Sequence, residues 1–198
     1  ELMQVAQKVA LKRFGLTVVI KTFNDYIQPN QALHNGDIDA NSFQHQPYLD
    51  AQNSARHYGL VSVGKTFLFP MGIYSHHHLN LKNLPRGTTV AIPNDPSNEA
   101  RALLLLQQEK LITLRRDHSV NATINDIIKN PDALHITTLN AALLPRALDD
   151  VSLAVINTTY ALPAGLNPQQ SLAHENTSSP YTNIIVTTRA LKNSSKIQ

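Results

Sequence analysis

Apolar residues recur at helical spacing at the start of the chain. Leu2, Val5 and Val9 share one face with alanines between them, and Gly15 follows Phe14 as a stop signal. The period then changes. TVVIKTF (residues 17–23) is a β-branched apolar run and predicts a buried strand. Pro29 opens a short helix that Gly36 closes, and PYLDAQNSARHYG predicts a third helix ending at Gly59. LVSVGKTFLFPMGIYS predicts extended segments broken at Pro70 and Gly72. A turn-rich link, NLKNLPRG, leads to TTVAIP (residues 88–93), a second buried strand. After the polar loop NDPSN come an apolar helix, ARALLLLQQEKL, and a short helix around INDIIKN. A strand LHITTL, a helix NAALLPRALDD and the strands LAVIN and NIIVTTR (residues 183–189) complete the series.

Strands alternating with helices predict parallel α/β layers, and the link at residues 79–87 divides them into two lobes. Ligands of open α/β sheets sit outside the carboxyl ends of the strands. Tyr26 follows the first predicted strand, NDPSN follows TTVAIP, and Asn157 follows LAVI. Three polar loops at three carboxyl ends point to a binding cleft.

Composition narrows this picture. The chain has 198 residues, 42% hydrophobic and 16% charged, enough to bury a core and unlike a disordered segment. The apolar run ALLLLQ (residues 102–107) is far too short to cross a bilayer. The net charge of +3 comes from scattered basic residues, so no nucleic-acid footprint is predicted. Absence of cysteine excludes disulfides, thiolate metal sites and a Cys nucleophile, and leaves the compartment open. No signal peptide is present and Glu1 reads as the inside of a helix, so the chain reads as trimmed.

DIDANSFQHQPYLD (residues 37–50) packs Phe43, His45 and Tyr48 into six residues beside few charges. Packed loop and pocket lining are equal readings of these residues alone. SHHH (residues 75–78) offers imidazoles, but neighbours in extended chain alternate faces, so a solvated loop is the reading here rather than a metal site. Arg101 falls in the first turns of the apolar helix, where a cation opposes the macrodipole. Over a cleft it can grip a carboxylate bidentately, aided by free N–H groups of that terminus. Asn157 and Asn183 border strands; they either form turns or offer amide oxygens to an ammonium. Enzyme signals are poor: there is no G-x-S-x-G, H-E-x-x-H, P-loop or G-x-G-x-x-G, and the paired carboxylates Asp149 and Asp150 read as solvated.

Four stretches together resemble a known family. FNDYIQPNQALHNGDIDANSFQHQPYLD, VAIPNDPSNEARALLLLQ, LPRALDDVSLAVINTTYA and SPYTNIIVT are similar to the methionine-binding lipoproteins of bacterial methionine importers, the NlpA-type family, in order over nearly the whole chain. The resemblance implies a type 2 periplasmic-binding-protein fold, two α/β lobes joined by a hinge, here with both termini incomplete. Residues 1–78 and 183–198 would form the first lobe, and residues 79–182 the second, with hinge segments at both ends. It implies a non-enzymatic substrate-binding protein for methionine or a close derivative, with the permease and ATPase of a membrane importer as partners and no cofactor or metal. It also implies attachment to the outer, periplasmic side of the membrane through an N-terminal lipid anchor that these residues lack. An initial strand beside TVVIKTF and further C-terminal helices are family features absent from this chain.

Carried over by position, the pocket is Tyr26, Phe43, His45, Tyr48, Arg101, Asn157 and Asn183. The physics is compatible. A thioether gains from aromatic contacts such as Tyr26, Phe43 and Tyr48 supply. A desolvated carboxylate needs Arg101, and an ammonium needs acceptors such as Asn157 and Asn183. His45 either donates to the carboxylate or only shapes the pocket. Two other readings share the scaffold: the effector lobe of a transcription regulator, which needs a DNA-binding helix-turn-helix, and an enzyme, for which His45 is the candidate acid or base.

Overall fold

The computed structural model describes residues 2–115, 120–176 and 180–197. Helix α1 (Leu2–Phe14) ends at Gly15, whose φ of 63° is left-handed. Helix α2 (Gln28–Asn35) has Pro29 in its first turn and Gly36 at φ 82° as its stop. Strand β1 (Ala40–His45) runs directly into α3 (Gln46–Arg56), followed by β2 (Val61–Lys65) and β3 (Gly72–Tyr74). Next come β4 (Thr89–Pro93), α4 (Pro96–Gln108), and the short strands β5 (Thr113–Leu114) and β6 (Ile127–Lys129). The chain closes with β7 (His135–Leu139), α5 (Leu144–Ala147), β8 (Leu153–Ile156), α6 (Thr158–Ala161), β9 (Ala173–His174) and β10 (Asn183–Thr187).

Two sheets organise these elements. One has the order β1-β10-β2 and the other β7-β4-β8-β3-β9, while β5 and β6 pair with each other. In the larger sheet β4 lies parallel to β7 and β8, and β3 lies antiparallel to β8 and β9. Both faces of this sheet are covered, which explains the continuous apolar runs of its central strands. Val90 and Ile92 of β4, with Leu153 and Val155 of β8, pack against Leu103 and Leu106 of α4. The alternate residues Ala91, Ala154 and Ile156 pack against Leu144 and Leu148 on the other face. The smaller sheet buries Ile184 and Val186 of β10 with Leu33, Leu49 and Leu60, whereas Ile185 between them is 37% exposed.

Several expectations need correction. TVVIKTF forms no strand: residues 17–23 run outside any ladder, and Val19 is 78% exposed. An apolar, β-branched run supplies surface to bury but not a backbone partner, and among the described residues none forms a ladder with it. A groove of about 610 Å³ lies between this segment and β1, lined by Val18, Ile20, Phe23, Ile38, Phe43 and Ile185 among others. The smaller sheet is antiparallel throughout, not parallel. INDIIKN is a single 3-10 turn (Ile124–Asp126) leading into β6 rather than a helix. Helix α3 stops at Arg56 because His57 takes up the left-handed conformation, φ 56°, ahead of Gly59. The chain also leaves the smaller sheet earlier than the link at residues 79–87: β3 already belongs to the larger sheet, so the crossing lies between β2 and β3.

Candidate functional site

Between the two sheets lies a cavity whose wall includes Tyr26, Phe43, His45, Tyr48, Arg101, Asn157 and Asn183, with Asn98, Phe69 and Thr159 among the others. Its volume is about 20 Å³, enough for roughly one water molecule. The two sheets therefore approach each other closely around it.

Local chemistry sets each wall. The β1–β10 ladder is irregular between Asn41 and Gln44, a bulge that re-aims the side chains of this stretch. Gln44 turns inward to a buried amide cluster, where its Nε2 donates to Asn30 Oδ1 at 2.6 Å and Asn41 Oδ1 at 3.0 Å. Phe43 lines the cavity with its ring. Its ring centroid is 5.8 Å from those of both Tyr26 and Tyr48. Tyr160 joins them, 4.8 Å from Tyr26, and the Tyr26 hydroxyl is hydrogen-bonded to Thr159 across the lobes. Tyr48 Oη donates to the Tyr26 carbonyl at 2.7 Å. Burial pushes the phenols of Tyr26 and Tyr48 far above their ordinary range, so this wall is uncharged.

His45 ends β1 and caps α3: its Nδ1 accepts the Tyr48 backbone N–H at 3.2 Å. Nδ1 is thus unprotonated, and Nε2 carries the hydrogen toward Asn98 Oδ1, 3.4 Å away. Desolvation and the Arg101 charge lower its pKa to about 3, against hydrogen bonds that favour the charged form.

Helix α4 begins at Pro96 inside the expected loop, and Asp95 is its N-cap. Asp95 Oδ1 accepts from the Asn98 backbone N–H and from Asn98 Nδ2, both at 3.0 Å. The helix terminus is therefore occupied by its own cap, contrary to the expectation that free N–H groups there would assist Arg101. The same contacts orient a relay of amides. With Nδ2 committed to Asp95, Asn98 turns Oδ1 toward Asn157 Nδ2, 2.9 Å away. Asn157 is then left presenting Oδ1, a buried acceptor with no partner among the described residues. Asn183, paired with His45 across the ladder, brings a second amide to the cavity wall.

Arg101 is 3% exposed rather than a surface charge. Its Nε and Nη2 donate to Glu175 Oε1 and Oε2 at 2.8 and 2.6 Å, and Nη2 also donates to the Phe69 carbonyl at 2.9 Å. Tyr181 stacks on the guanidinium, 4.6 Å from Cζ, and meets the His45 ring edge-on at 4.9 Å. Glu175, Tyr181 and Asn98 escaped the sequence reading. An arginine buried in an apolar helix does demand a carboxylate partner, but nothing in the pattern says which one, 74 residues away. His76, by contrast, lies in an exposed loop with Asp149 Oδ1 3.5 Å from its Nδ1. Among the described residues no three His, Asp or Glu side chains gather as a metal site.

Known proteins share this architecture. The D-methionine-binding lipoprotein MetQ of Salmonella typhi is 51% identical over 98% of this chain and 73% of its own length. The protein of the same name from Escherichia coli K12 is 49% identical over the same shares. A solved nutrient binding protein from Burkholderia cenocepacia bound to methionine superposes with a TM-score of 0.96 at 51% identity, covering 98% of this chain and 83% of that one. An ABC transporter periplasmic substrate-binding protein from Coxiella burnetii gives 0.96 at 52% identity over 99% and 83%. The fold is that of the two-lobed periplasmic binding proteins. The model of the NlpA lipoprotein family matches residues 1–198, and this chain belongs to that family.

Proposed function

We propose that this chain captures methionine or a close derivative between its lobes and hands it to the permease and ATPase of a membrane importer. The carrying observation is the composition of one cavity: an uncharged aromatic wall of Tyr26, Phe43 and Tyr48, an arginine, and an amide oxygen without a partner among the described residues. The rings suit a thioether, Arg101 the α-carboxylate, and Asn157 and Asn183 the ammonium. The names of its relatives, D-methionine-binding lipoprotein and ABC transporter periplasmic substrate-binding protein, support both the ligand and the partner. The lobes part about residues 66–71, where the chain passes from the smaller sheet to the larger. The full protein is held on the outer side of the membrane by a lipid anchor, in keeping with the lipoprotein family. Binding without catalysis is supported by His45, whose Nδ1 is spent on capping α3 and whose ring stays neutral at physiological pH.

Calorimetric titration of the full-length protein with methionine, glutamate and lysine tests this reading. Methionine is expected to bind and the two charged amino acids are not, because no group of the ring wall pairs a side-chain charge. Tighter binding of lysine than of methionine overturns it.

A further inference from the structure

Glu175 lies behind the cavity, outside its wall, and is 8% exposed. It accepts from two nitrogens of Arg101, and its Oε2 also accepts the Met71 backbone N–H at 2.8 Å. Its own N–H donates to the Met71 carbonyl at 3.0 Å. Arg101 in turn holds the Phe69 carbonyl. The pair therefore fixes the guanidinium to the strand entering the larger sheet, with Tyr181 stacked on the guanidinium. Nε and Nη2 form the edge spent on Glu175, which leaves the Nη1 edge for a ligand carboxylate.

This pairing also sets the charge of the site. Arg101 brings one positive charge to the cavity and Glu175 one negative charge immediately behind it. His45 and the phenols are neutral, and the Asp95 carboxylate sits one amide away from Asn157. A zwitterion entering this cavity adds one charge of each sign and leaves the balance unchanged. A carboxylate without an ammonium leaves a buried negative excess, which is costly in a desolvated site.

The geometry points to Glu175 as a positioning and specificity-determining residue: by neutralising Arg101 from behind, it makes the site select α-amino acids over carboxylates that lack the ammonium. This rests on the methionine reading above. The discriminating probe is 2-hydroxy-4-(methylthio)butanoate, which keeps the thioether and carboxylate of methionine and replaces its ammonium with a hydroxyl.

The test is the ratio of dissociation constants for the hydroxy acid and methionine, measured on the full-length protein, on Glu175→Gln and on Glu175→Asp. Glu175→Gln keeps the shape and an acceptor but removes the charge, so the ratio should fall at least tenfold in favour of the hydroxy acid. Glu175→Asp keeps the charge and should retain the parent ratio, even where both affinities drop. A purely structural role moves both affinities together and leaves the ratio alone. An unchanged ratio in a Glu175→Gln protein that melts cooperatively therefore overturns the inference, as does an equal relaxation in Glu175→Asp. Should Glu175→Gln fail to fold, the parent still decides: hydroxy acid bound as tightly as methionine contradicts a charge-balanced site. A parent that binds no methionine at all defeats the functional reading instead, so the two failures are distinguishable.

Discussion

Replacing Arg101 with alanine is expected to weaken methionine binding by about 2–5 kcal/mol, roughly thirty- to several-thousand-fold, because it strands the ligand carboxylate in a desolvated cavity. Phe43→Leu removes only apolar contact and should cost about 1–3 kcal/mol. The arginine carries a second burden. It neutralises Glu175, and both side chains are nearly inaccessible, at 4% and 9% exposure. Breaking such a pair from one side is expected to destabilise the fold by about 3–5 kcal/mol. Binding and stability can be separated in the double variant Arg101→Ala with Glu175→Gln, which leaves no unpaired carboxylate. There the melting temperature should recover most of the loss while methionine affinity stays low. Arg101→Ala binding methionine as well as the parent does would remove the arginine from the carboxylate role.

Acid should destabilise this protein through His45. Its pKa in the folded state is about 3, against an ordinary value of 6.5, so below pH 6.5 the unfolded chain binds a proton that the native site refuses. Stability is therefore undiminished above about pH 6.5 and is lost as pH falls toward 3. The slope from this one residue approaches about 1.4 kcal/mol per pH unit, or roughly 2–3 kcal/mol at pH 4.5. His45→Asn keeps a side-chain oxygen able to cap α3 and removes the titration. The stability difference between parent and variant, measured by urea unfolding at pH 7 and pH 4.5, should shift toward the variant by that amount. A difference that does not change with pH shows that His45 protonates freely in the native protein.

What the sequence made legible follows from where the information resides. Runs buried on both faces, such as VAI in β4 and LAVI in β8, announce themselves because every residue is apolar and turn signals bound them. The same logic misread TVVIKTF, since apolar periodicity reports a surface to be buried and is silent about a ladder partner. Orientation was equally hidden: parallel and antiparallel strands have the same local chemistry, so the antiparallel smaller sheet was not predicted. At the site, Phe43, His45 and Tyr48 stood out by crowding, and the structure brings them to one cavity with Tyr26, Arg101, Asn157 and Asn183. Glu175 did not stand out. Its meaning comes from a contact closed by the fold, as does that of Asn98, whose orientation of Asn157 depends on the Asp95 cap three residues earlier.

The central claim is that methionine sits between the lobes with its carboxylate on Arg101. A crystal structure of the full-length protein with methionine tests it most directly. The expected result places the carboxylate within hydrogen-bond distance of Arg101, the ammonium on Asn157 Oδ1 and the thioether among Tyr26, Phe43 and Tyr48. Methionine lodged in the groove beside residues 17–23, or held between the lobes with its carboxylate turned away from Arg101, would contradict the account.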